Sequence, residues 1–227
     1  MREVPILRIY EKYGTPSNLQ KHMLRAAALS SIICNSWKGP EIDRERIVTV
    51  MLLHDMGNVV KMNLTKKEYL PPENQDISYL KDLQNKYITR YGTDDHIVTY
   101  NILAEMGLDK DYLWLVLNKI FINNEMIANS NNYELKICAY ADQRTGPNGI
   151  VTLQERFDEL RRRYGNNPQA SINHPRAQYL IGSAYEIERQ IMQYTSVDLS
   201  QVTDIEILLE IESLSKYRVK VKKEFGI

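Results

Sequence analysis

Apolar residues recur at helical spacing along most of the chain, and no pair of alternating segments joined by hairpin turn residues stands out. Thr15-Pro16 opens the first clear helix, an N-cap residue followed by proline at the first helical position, and the pattern runs to about Ser36. Its inward stripe is Leu19, His22, Ala26, Leu29 and Ile33. A second helix starts near Asp43, places Ile47, Val50, Met51 and His54 on one side, and ends by Gly57. In both stripes a histidine stands where a hydrophobe is expected.

Between Lys61 and Gly92 the pattern weakens around Pro71-Pro72, where a loop or lid is expected, although Tyr79 to Tyr87 suits a helix. Thr93 then caps a helix over Asp94 to Met106, stopped by Gly107, and Asp109 begins another that runs through Ile120 to about Asn123. Tyr133 to Arg144 predicts a helix, broken by Thr145-Gly146-Pro147-Asn148-Gly149, and Thr152 to Arg163 a short charged one. After a link over Pro168 to Pro175, two more helices follow, near Arg176 to Tyr194 and Thr203 to Lys222. Their apolar positions (Leu180, Ile181, Ala184, Ile187 and Ile191, then Ile205, Leu208, Leu209, Ile211 and Leu214) need a partner surface, on the core or in an oligomer. The pattern thus predicts an all-α chain, with a first unit over residues 1–165 and a helical C-terminal extension over 166–227.

Composition narrows the function classes. The 227 residues carry 29 Lys+Arg and 29 Asp+Glu, so the formal net charge is zero, whereas a dedicated nucleic-acid binder is strongly basic. Arg161-Arg162-Arg163 and the lysines from Lys216 to Lys223 read as solvated helix faces balanced by Asp158, Glu159, Glu210 and Glu224. The longest apolar stretch, Ile47 to Leu53, is far short of the roughly 18 residues that span a bilayer, and MREVPILRIYEKYG does not resemble a secretory signal. Cys34 and Cys138 sit in apolar helical patterns as small buried side chains rather than a disulfide, and the expected compartment is the cytoplasm.

Four histidines are present, and their setting is informative. His22 lies one helical turn before Arg25, His54 is followed at once by Asp55, and Asp142 ends the run Cys138-Ala139-Tyr140-Ala141-Asp142 on a third helix. Histidine and carboxylate from three helices can converge inside a bundle, where metal sites are commonly built. Adjacent residues on a helix point about 100° apart, so His54 and Asp55 share an ion only if it lies beside their helix. Imidazole with carboxylate suits a divalent first-row metal, the other positions being left to water and substrate.

These elements resemble the HD superfamily of metal-dependent phosphohydrolases: His22 with Arg25 in NLQKHMLRAAAL, the His54-Asp55 doublet in VTVMLLHDMGN, and Asp142 in ICAYADQRTGPNG. The similarity spans about residues 18–165. It implies an all-α HD-domain bundle in which His22, His54, Asp55 and Asp142 ligate one divalent metal (manganese, magnesium, cobalt, iron or zinc) and a phosphate ester is hydrolysed, commonly that of a nucleotide. A metal acidifies water and polarises a phosphoryl oxygen, and positive groups must then hold the phosphate. Arg25 is the first candidate for that role and Lys61 the second, while Asp55 is placed both to bind metal and to orient the attacking water.

His96, in TDDHIVTYNIL, has no further histidine beside it of the kind that two-metal relatives carry, and the next candidate helix ends in Asn123-Asn124. This favours one metal, with His96 as a phosphate contact or proton donor. Asn58 stands where relatives often carry lysine, and the acidic motif of relatives that hydrolyse guanosine polyphosphates does not occur. Asp95, Glu73, Asp76 and Glu125 are all available as a general acid. The expected partner is a small phosphorylated substrate, a nucleotide first, with no membrane or nucleic acid and a homo-oligomer contact available on the C-terminal helices. The competing reading is a ligand-binding sensor or scaffold with little turnover; a di-iron oxygen-using centre would need more histidines.

Overall fold

The computed structural model describes residues 2–65, 76–168 and 170–226; Glu73 and Pro71-Pro72 lie outside the described residues. The chain opens with strand β1 (Arg2–Pro5) and helix α1 (Ile6–Tyr13), then α2 (Ser17–Asn35) and α3 (Arg44–Leu53). A 3-10 segment, Met56–Lys61, leads toward α4 (Ile77–Tyr91), α5 (Asp95–Glu105) and α6 (Lys110–Asn118). The remaining α-helices and strand among the described residues are α7 (Asn124–Asn129), α8 (Tyr133–Arg144), α9 (Leu153–Tyr164), α10 (Ala177–Met192), α11 (Asp204–Ser215) and β2 (Arg218–Val221), with short 3-10 segments at Phe121–Asn123, Ser171–Asn173 and Leu199–Gln201. The fold is all-α apart from these two short strands.

Helix α3 is the centre. Asp43 caps it by accepting from the Arg46 amide at 2.9 Å, which satisfies a free first-turn donor. Every residue from Ile47 to Leu53 is buried, the signature of a helix surrounded on all sides. Helices α2 and α8 both pack on it and on each other. Tyr10 of α1 donates to the Leu52 carbonyl at 2.6 Å, and the 3-10 segment beyond Asp55 is wedged against α5. The end of α3 is therefore fixed from several directions, and this is where the His54-Asp55 doublet sits.

Helices α4, α5 and α8 begin at Asp76, Asp94 and Asn132, whose side chains accept from first-turn amides. The cap of α5 is thus Asp94 and not Thr93. At α2 the N-cap position is Pro16, with no side-chain bond. Thr15 turns inward instead, its hydroxyl 3.5 Å from the Met56 sulfur.

Two corrections concern the chain ends. The helix expected over Thr203 to Lys222 stops at Ser215, and Arg218–Val221 is a strand that pairs antiparallel with Arg2–Pro5 in the register Arg2 to Val221 through Pro5 to Arg218. Its lysines lie along a strand and the chain after it, with Lys220 facing Glu45 at 2.8 Å and Lys222 facing Asp109. The apolar stripe of α11 also differs from the one expected: Ile207 and Leu214 are buried, while Ile205, Leu208 and Leu209 are 76%, 60% and 82% exposed. Glu210 lies on the inward side, bonded to Ser31 of α2. Cys138 is buried and Cys34 half-buried, both as free thiols.

Helix α10 packs on α7 and α8, and α11 on α2. Buried Arg144, the last residue of α8, ties this region to the rest. Its guanidinium donates to the carbonyls of Val151, Leu199 (2.8 Å) and Val202 (3.3 Å) and to the Tyr140 hydroxyl. Arg144→Met strips the donor from three carbonyls at ~1–3 kcal/mol each. Chemical denaturation is expected to show a loss of at least about 3 kcal/mol on the same scale; a stability equal to the parent's would contradict the clamp.

Candidate metal centre

Three chain segments meet at one point. His22 comes from the middle of α2, His54 and Asp55 from the residues just past α3, and Asp142 from the last turn of α8. Each offers a ligand atom, and the four atoms lie within 4.8 Å of one another. The His22 and His54 Nε2 atoms are 3.2 Å apart. Asp142 Oδ1 is 3.3 Å from the first and 3.2 Å from the second. Asp55 approaches His22 Nε2 with Oδ2 at 3.4 Å and His54 Nε2 with Oδ1 at 3.6 Å.

These separations suit a metal. Ligand bonds of ~2.0–2.2 Å set ligand atoms roughly 3.0–3.4 Å apart around an ion. The chemistry agrees: His54 Nδ1 is 2.8 Å from the Met51 carbonyl, so Nδ1 carries the proton and Nε2 turns a lone pair inward. Lone pairs and carboxylate oxygens facing one another are the arrangement a cation satisfies.

A second ring holds the first. Asn58 Nδ2 donates to Asp55 Oδ2 at 2.5 Å. Lys119, at the end of α6 and only 3% exposed, donates from Nζ to Asp142 Oδ2 at 2.6 Å. Burial pushes the Asp142 carboxyl up, but Lys119 and His54 outweigh it and hold it well below the usual carboxylate range. Asp55 is held low in the same contest, burial and Asp142 raising it while His54, His22 and Lys119 lower it. Burial works against the Lys119 ammonium, yet Asp142 and Asp55 together raise its pKa.

Lys119 is the residue that sequence reasoning missed. Its signal was a lone lysine in the apolar run Leu113-Trp114-Leu115-Val116-Leu117-Asn118-Lys119-Ile120. A lysine at a helix end is ordinarily read as a solvated complement to the helix dipole, and burial is not visible in that pattern.

The other candidates lie around the rim. Lys61, at the end of the 3-10 segment, pairs with Asp95 Oδ2 at 2.5 Å. Burial lowers its pKa, but Asp55 and Asp95 together hold it above the usual lysine value, so the ammonium stands within reach of both fields. His96 is 43% exposed, with Nδ1 3.9 Å from Asp95 Oδ2. Arg25 meets Asp204, the first residue of α11, at 3.4 Å. Of the candidate acids, Glu125 is tied to Arg176 and Tyr179 at the surface, and Asp76 caps α4. Asn123 bonds the Asn118 carbonyl, while Asn124 is engaged with Gln143 and the Leu180 carbonyl.

The comparison with protein families decides the wider relationship: the model of the HD domain matches residues 19–146, more than half of the chain, and includes His22, His54, Asp55 and Asp142. The chain belongs to the HD domain family. No curated protein and no solved structure gives a match. The HD domain is that of a metal-dependent phosphohydrolase superfamily and binds divalent metals. No helix of the described residues is long and apolar enough to cross a membrane.

Within this HD domain, Gly57 locks the doublet to α5. Its amide donates to Thr99 Oγ1 at 2.9 Å. A Cβ there would fall 2.6 Å from the Thr99 amide nitrogen, with the Asp95 carbonyl oxygen closer still. Since both are backbone atoms, Gly57→Ala must push α5 away. Overpacking of this kind costs ~1–3 kcal/mol, and a lowered melting temperature is expected. An unchanged one would show that the 3-10 segment and α5 are not locked together.

Proposed function

We propose that this HD protein is a metal-dependent phosphohydrolase that cleaves a phosphate ester of a small molecule, a nucleotide first among them. The single observation that carries this reading is the convergence of His22, His54, Asp55 and Asp142 on one point within 4.8 Å, with cations beside it. A divalent ion there supplies Lewis acidity toward a phosphoryl oxygen and toward water near neutral pH.

The chain's own residues do the rest. His22, His54, Asp55 and Asp142 would hold the ion, and Asp55 would also orient water. Asn58 fixes that carboxylate, so the amide that replaces the relatives' lysine acts as a positioning group. Lys61 takes phosphate charge at the rim by sharing its ammonium between Asp95 and the ester. Arg25, one turn beyond His22, retains further guanidinium donors besides the one facing Asp204. His96, beside Asp95, is placed to contact phosphate or to hand a proton to the leaving group. Balanced net charge and zero membrane-length helices among the described residues fit a small soluble substrate.

A second reading, a ligand-binding sensor or scaffold with little turnover, is favoured by one feature: both candidate phosphate cations are already paired, Arg25 with Asp204 and Lys61 with Asp95. One experiment separates the two. The purified chain is stripped of metal, resupplied separately with manganese, magnesium, cobalt, iron and zinc, and assayed for phosphate release from nucleotides and sugar phosphates. Metal-dependent release that falls to background in Asp55→Ala is expected, with the circular dichroism of the variant unchanged. Nucleotide binding without release from any substrate would replace the hydrolase with the sensor.

A further inference from the structure

Asp204 is the first residue of α11, but the helix does not need its carboxylate. Thr203 and Glu206 already form a capping box, with Glu206 accepting from the Thr203 amide at 2.7 Å. The Asp204 carboxylate turns instead toward Arg25, which follows His22, and Ile150, which follows Asp142. Its Oδ1 accepts from the Ile150 amide at 3.0 Å, and its Oδ2 faces Arg25 Nη2 at 3.4 Å. A Cβ on Gly149 would overlap Oδ2, so glycine is what lets an anion sit against the backbone there.

A guanidinium, a donating amide and a glycine that admits close approach are the parts of a site for an oxyanion. All three stand without Asp204. Arg25 is carried by α2, and the loop is closed by its own bonds, from the Gly146 amide to the Gly149 carbonyl at 2.8 Å and from the Val151 amide to the Arg144 carbonyl at 2.9 Å. The resident carboxylate is easily exchanged: the side chains of Arg25 and Asp204 are 22% and 40% exposed, and ion pairs open to water to this degree are weak. Among the described residues Arg25 has no other ion pair or side-chain hydrogen bond.

We propose that Arg25, the Ile150 amide and Gly149 form an oxyanion site for a phosphate group, and that Asp204 occupies it as a resident carboxylate until phosphate displaces it. This rests on the phosphate-binding role that the phosphohydrolase reading gives to Arg25. The two carboxylate oxygens stand for two phosphate oxygens. Carboxylate and phosphate compete for the same donors, so α11, a helix beyond the matched HD residues, sets how tightly the centre takes its substrate.

The test titrates inorganic phosphate into the full chain by calorimetry, with metal removed so that only the protein's donors are read, and again with Mn²⁺ restored. Asp204→Asn removes the charge while keeping an acceptor for Ile150, and Asp204→Ala empties the site. Each is expected to bind phosphate roughly fivefold more tightly than the parent, about the most that such an ion pair withholds, and the gain is expected to vanish when Arg25→Gln is added. Equal, weaker or undetectable binding in both variants, with circular dichroism unchanged, overturns the inference; so does a gain that survives Arg25→Gln. Activity reads the same contest separately: KM for the hydrolysed ester is expected to fall in Asp204→Asn, whereas a raised KM would make Asp204 a residue that orients Arg25 and overturn the competition. Absence of release from every ester would remove the hydrolase and leave the phosphate titration to decide the site.

Discussion

Two carboxylates held within 4.8 Å of each other and of two imidazoles are the constraint around which the fold is arranged. At an effective dielectric near 20, two such charges at that distance repel by about 3.5 kcal/mol, and burial adds to the cost. Left alone, one of the pair would take up a proton, as like-charged carboxylates in a shared site do. Both are instead held below the usual range, because the neighbouring imidazoles and Lys119 outweigh burial at short distance. The protein thus spends a buried lysine on keeping both carboxylates ionised, and ionised carboxylates are what a divalent cation needs.

Holding those groups in place is the task of the surrounding helices. The doublet follows directly on α3, whose buried residues from Ile47 to Leu53 leave it no freedom to slide. The turn beyond is fixed by the Gly57 contact with α5, and the facing carboxylate by α8, which ends in the Arg144 clamp only two residues after Asp142. Site precision in such an arrangement is a property of close packing rather than of any one bond.

The helical class and the places of the longer helices were legible in the sequence because those helices carry a 3.6-residue period, and Asp43 marks a start where one was read; α1 and α7, only eight and six residues long, were not read. The convergence of His22, the doublet and Asp142 was legible too, through histidines set in apolar stripes and a motif in family order. What escaped has a physical reason in each case. Strands β1 and β2 are four residues each and pair across the whole length of the chain, so no local turn announces them. Helix α11 is apolar on more than one side, so periodicity alone did not choose Ile207 and Leu214 over Ile205, Leu208 and Leu209. Lys119 escaped because a sequence shows charge but not depth. The role of Asn58 was half visible: its departure from the family's lysine could be seen, its bond to Asp55 could not.

Among the ties between the C-terminal helices and the rest, one acidic residue reaches both sides of the centre. Asp204 opens α11, accepts from the Ile150 amide at 3.0 Å, and faces Arg25 at 3.4 Å. A side chain on Gly149 would collide with its carboxylate, so the loop after α8 is drawn close to it. Arg25 lies one turn from His22 on the same helix, and the loop begins three residues after Asp142. One carboxylate therefore ties together the helix that carries the first ligand, the loop that follows the last, and a helix beyond the matched HD residues. Any displacement of α11 acts on Arg25 and on the end of α8 at once, and these are the elements on which the geometry of two of the four ligands depends.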